Sequence, residues 1–109
     1  MDLLQELWKI NDLLKKALEQ YKTRGSEYAK AQRDYRVMLR QTILKLRADG
    51  TPTTILSDLA RGDDDVAAAK EQEIIAKTLL ESCQEAINVY KIQLKLLQEQ
   101  INKEWSKDD

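Results

Sequence analysis

The sequence has no histidine and no phenylalanine, and only one cysteine, one proline and three glycines. Without histidine there are no imidazole metal ligands and no imidazole acid–base chemistry. Cys83, being alone, cannot close an intrachain disulfide. Glycine stands only at 25, 50 and 62, and proline only at 52, so breaks in regular structure are confined to a few places. No run approaches the ~18 apolar residues that mark a transmembrane helix. The opening Met1-Asp2-Leu3-Leu4-Gln5-Glu6 lacks the basic and apolar regions of a signal peptide. These shortages lead to the expectation of a cytoplasmic protein that needs no metal or cofactor and makes no membrane contact.

What is abundant is Leu, Lys, Glu, Gln and Ala, the strong helix formers. A chain of 109 residues is the size of one domain. The net charge of −1 conceals an uneven distribution. Eight basic residues lie between Lys22 and Arg47, opposed only by Glu27 and Asp34. From Asp49 to Glu73 seven acids face only Arg61 and Lys70.

Leu3, Leu7, Ile10, Leu14, Ala17 and Tyr21 alternate by four and three, the spacing of a coiled-coil seam. The phase survives Gly25, because Tyr21, Tyr28 and Tyr35 are seven apart, and Ala31 and Met38 fill the alternate positions. Only Arg24 interrupts it. One helix is therefore expected over about 2–48. Asp49-Gly50-Thr51-Pro52 stops it, with Gly50 suited to a C-terminal cap. Thr51 is expected to cap a short helix over about 52–61, with Pro52 first and Ile55, Leu56 and Leu59 on one side. Asp63 is the expected N-cap of a last helix over about 64–106, with Asp64 and Asp65 favourable in its first turn. The seam of that helix is Ala69, Ala76, Leu80, Cys83, Ile87, Tyr90, Leu94, Leu97 and Ile101, broken at Glu73. The fold class is an all-α, long antiparallel helical hairpin with a short helix at the turn, assembled into a multi-helix bundle. Symmetry about the connector puts residues level where their numbers sum to about 112, which would set Trp8 opposite Trp105.

Three surfaces are candidates for function. Leu4, Trp8, Leu13 and Leu18 widen the apolar face of the first helix beyond one seam, and with Trp105 they are the expected self-association face. Arg33, Arg40 and Arg47 repeat by seven, with Arg36 beside them. They could meet phosphate, nucleic acid included, or an acidic partner. Pairing of Arg40 and Arg47 with the acids at 63–65 is the preferred alternative. The connector, with Thr53, Thr54, Asp58, Arg61 and Asp63, is either a closing cap or a binding tip, the cap being preferred. Asp63-Asp64-Asp65 suits N-capping better than metal binding, because consecutive residues at a helix start fan apart. Cys83 is expected as a small buried seam residue, and the tyrosine row as core packing. Neither a nucleophile–base arrangement nor a phosphate-cradling glycine loop is recognisable.

The connector, the tyrosine-spaced helix before it and Leu96-Leu97-Gln98-Glu99-Gln100-Ile101 through Trp105 resemble small helical proteins encoded by tailed phages and prophages of Gram-positive bacteria. The genes of that group lie in early clusters near replication and recombination functions. The resemblance covers roughly residues 25–106 and is most specific at Leu59-Ala60-Arg61-Gly62-Asp63 followed by Val66-Ala67. It implies a viral origin and action inside the bacterial host, and it carries over no catalytic residues. The resulting expectation is a non-enzymatic, self-associating module that binds a phage or host protein, with no small-molecule substrate. A nucleic-acid-binding accessory of recombination or replication, and an inhibitor of a host defence protein, are the alternatives.

Overall fold

The computed structural model describes residues 2–107. It is an all-α helical hairpin, with 93% of the chain helical and no strand among the described residues. Helix α1 spans Leu3–Ala48, α2 spans Thr53–Arg61 and α3 spans Asp64–Lys107. All three lie within two residues of the bounds expected from periodicity and caps. The chain divides into two compact units. One takes in the chain up to Thr23 and from Glu81 onward, and the other runs Arg24–Leu80.

The helix ends follow from local hydrogen bonding. Asp2 Oδ1 accepts from the Gln5 N–H at 2.8 Å, so Asp2 caps α1 and satisfies a donor with no intrahelical partner. At the other end the Thr51 N–H donates to Leu46 O at 3.0 Å and the Gly50 N–H to Arg47 O at 3.1 Å. This is a Schellman closure, and it requires the left-handed φ of 89° that Gly50 adopts. Asp63 Oδ2 accepts from Asp65 N at 3.1 Å and Val66 N at 3.3 Å, the expected cap of α3. The start of α2 differs from expectation. Pro52, at ψ 139°, is itself the cap residue, helix begins at Thr53, and no side chain bonds the first turn. Pro52 is extended there and contributes only its carbonyl, which accepts from Ile55 N at 3.2 Å.

In the unit holding both chain ends, Ala17, Cys83 and Ile87 form a buried cluster flanked by Leu14 and Tyr90. The Cys83 thiol donates to Ala17 O at 3.4 Å, a contact that brings α1 and α3 close at small residues. Leu3, Leu7, Ile10, Leu94, Leu97 and Ile101 are half-buried, as the seam requires, but Tyr21 is exposed. In the Arg24–Leu80 unit, Leu56, Ala60, Val66 and Ala76 are buried, with Ala60 and Val66 at 0% exposure. The inner face of α2 is thus Leu56 and Ala60, four apart, while Ile55 and Leu59 are exposed. That corrects the expected three-residue face: in a nine-residue helix one contact line four residues apart is enough to dock it.

The axial register also differs from the symmetric expectation. Ala17 contacts Cys83, numbers that sum to 100, and Tyr35 meets Lys70, which sum to 105. Both fall short of the symmetric value, by twelve residues at Ala17–Cys83 and by seven at Tyr35–Lys70. Trp105 accordingly shares a groove with Leu3, Leu4 and Ile101, not with Trp8.

Candidate interaction surfaces

Leu4, Trp8 and Leu18 fall on one line of α1 by steps of four and three, through Asn11 and Lys15. All three are exposed, Trp8 at 66%, and so is Trp105 at 70%. Leu13 does not join them. Nine residues from Leu4 turn the helix half-way round, and Leu13 is half-buried. Beside this unit's seam, Glu6, Lys9, Ile10, Gln93, Leu96 and Leu97 line an open groove of about 450 Å³.

Arg33, Arg36, Arg40 and Arg47 are all exposed on α1. The expected pairing of Arg40 and Arg47 with the acids at 63–65 does not occur. Among the described residues Arg36, Arg40 and Arg47 form no ion pair, and Arg33 Nε reaches only Asp34 Oδ1 at 3.9 Å. The reason lies in the register and the caps. The carboxylate of Asp63 is committed to backbone N–H groups of α3, and α2 lies between the end of α1 and the start of α3 in the chain path. Val37 and Leu44 lie between the arginines and are also exposed, at 49% and 53%. Their place on the same line is legible in the four–three spacing but is easily overlooked when charge alone is followed.

On the connector, Thr53, Thr54, Asp58 and Arg61 are exposed, and Asp63 is half-buried at its cap position. Arg61 borders a recess of about 460 Å³ with Tyr35, Ala67 and Lys70. Lys70 Nζ lies 4.8 Å from the centre of the Tyr35 ring and 3.5 Å from Glu73 Oε1. Glu73, the break in the α3 seam, has a side chain only 13% exposed, and its Oε2 has no hydrogen-bond partner. Its aliphatic stem continues the seam while one oxygen is held by lysine and the other is left short.

Among the described residues no three acidic, cysteine or histidine side chains are grouped to hold a metal ion, and no helix is long and apolar enough to cross a membrane. These surfaces offer exposed indole rings at Trp8 and Trp105 and a row of exposed guanidinium groups on α1. No family model, curated protein or solved structure matches the chain.

Proposed function

We propose that this chain is a non-enzymatic protein–protein interaction module that self-associates into a helical bundle and binds a phage or host protein in the bacterial cytoplasm. The viral setting rests on the resemblance of the connector and its flanking helices. The observation that carries the binding role is the exposed row Leu4, Trp8 and Leu18, together with exposed Trp105. Large aromatic side chains are costly to leave in water and are the usual anchors of protein interfaces.

The test is the pair Trp8→Ala and Trp105→Ala. Both side chains are exposed, so helicity by circular dichroism should be unchanged. Association, read by light scattering and by recovery of partner from infected-host lysate, should weaken about tenfold to a hundredfold, as for interface anchors. Association unchanged in the double variant would overturn this reading.

A second reading, a nucleic-acid-binding accessory of recombination or replication, is favoured by one observation: Arg36, Arg40 and Arg47 have no intrachain acid to satisfy them among the described residues. It requires binding to duplex or single-stranded nucleic acid that falls steeply with salt.

A further inference from the structure

The arginine row is only half of a pattern. Arg33, Val37, Arg40, Leu44 and Arg47 follow one another on α1 by steps of four, three, four and three. That spacing makes a single line along a helix. All five are exposed, and the line lies opposite the seam residues Tyr28, Ala31, Tyr35 and Met38, which are half-buried. On α3 of the same unit, Thr78, Ile74, Glu71, Ala67 and Asp64, taken toward the N-terminus, are spaced by the same four, three, four and three. All five are again exposed, with Ile74 at 55%, and the line lies opposite the seam residues Ala69, Glu73 and Ala76. Glu71 and Asp64 form no ion pair among the described residues.

Laid antiparallel, the two rows match position by position. Val37 meets Ile74, Arg40 meets Glu71, Leu44 meets Ala67, Arg47 meets Asp64, and Arg33 meets the small polar Thr78. Apolar falls on apolar and cation on anion at every step where both kinds occur. Within one copy these contacts are not made: the α3 row and the Arg33–Val37 part of the α1 row face away from the hairpin seam, and Arg40 and Arg47, nearer to half-buried Leu39, Ile43 and Leu46, form no ion pair among the described residues. We propose that the outer face of α1 in this unit docks on the outer face of α3 in a second copy of the chain.

The contact is heterologous, since different faces of the two copies meet. Each copy then keeps one free face of each kind, and the assembly grows into a ring or an open array. The opposed charges act as a register device, since a one-position slip would set arginine against aliphatic residues.

This surface rests on the reading of the chain as a self-associating module, and its test is separate from that of the tryptophans. Arg40→Glu and Glu71→Arg are made singly, away from the helix ends where reversal would also disturb the helix dipole. Circular dichroism establishes that each folds. Sedimentation velocity at micromolar concentration and low salt should show the unaltered chain assembling. Each single reversal should weaken assembly about tenfold or more, since attraction becomes repulsion at every contact. An equimolar mixture of the two variants should restore it. Wherever unlike variants meet, position 40 of one and position 71 of the other again carry opposite charges, either both original or both reversed. An unaltered chain that stays monomeric overturns the proposal. So does assembly indifferent to both reversals, which would place the contact between copies elsewhere and leave the module reading standing. Loss of duplex DNA binding in Arg40→Glu, with no self-assembly in the unaltered chain, assigns the row to nucleic acid and overturns it as well.

Discussion

Around Ile87 two helices alone supply the packing, and Ala17, Cys83 and Ile87 each retain a little contact with water. Around Val66 the unit also contains α2, and Val66 and Ala60 are enclosed completely. The difference teaches how a thin hairpin is made to hold together. Two helices bury one stripe each and cannot close over it; small Ala17 and Cys83 let the backbones approach, and Ile87 beside them stays 6% exposed. Nine residues of α2 add a third surface, and a β-branched side chain can then be sealed from solvent.

Truncations sharpen that comparison, beginning with the largest expected effect. Ile87→Ala should destabilise the protein by about 3 kcal/mol, from three lost carbons and an unfilled space. The measurement is the urea midpoint at unchanged slope. Val66→Ala removes one carbon fewer and should cost about 2 kcal/mol. Per carbon the loss at Val66 should be the equal or greater, because no water can reach the cavity. A negligible effect at Val66 would break the comparison by showing that α2 does not seal this region.

Glu73→Leu works in the other direction. It continues the α3 seam with an aliphatic side chain and removes a carboxylate oxygen that lacks a partner. Replacing a poorly satisfied, largely buried charge with a packed apolar group should stabilise by about 1–2 kcal/mol, seen as a higher thermal midpoint. A fall in stability would mean that the Lys70 contact outweighs the missing seam residue. Gly25→Ala should stabilise by about 1 kcal/mol, because Gly25 lies inside α1 and a Cβ there meets nothing within 4 Å. Asp63→Ala should cost about 1 kcal/mol through loss of the α3 cap, with helicity near that end reduced in hydrogen exchange.

The candidate surfaces are legible in the sequence to different degrees. Exposure of Arg33 and Arg36 follows from the heptad phase set by Tyr21, Tyr28 and Tyr35, whereas the slip of that phase to Leu39, Ile43 and Leu46 sets Arg40 and Arg47 beside the seam. The arginines' lack of acidic partners does not follow from the phase, because a guanidinium on a long stem can reach several neighbours and only the placement of α2 and the Asp63 cap removes them. The row Leu4, Trp8 and Leu18 is visible as surplus apolar residues. Grouping Leu13 with them is wrong, since composition of a segment says nothing of angle round the helix. The acidic row on α3 can be written down from spacing alone. That it stays uncovered cannot, because α2 had two outer helix faces on which it might have lain.

The sequence by itself determined, to within a residue or two, where each helix begins and ends and, for α1 and α3, which stripe is inward. Those properties are settled within a few residues, by Asp2 and Asp63 accepting from free N–H groups, by Gly50 taking a left-handed turn and by apolar residues recurring every three or four. Tertiary structure alone decided the axial register of α1 on α3 and the face by which α2 docks. A heptad seam looks nearly the same after sliding by whole repeats, so its pattern leaves the level of one helix against the other open. Burial of Leu56, Ala60 and Val66, on two different helices, is a tertiary outcome that no local spacing records.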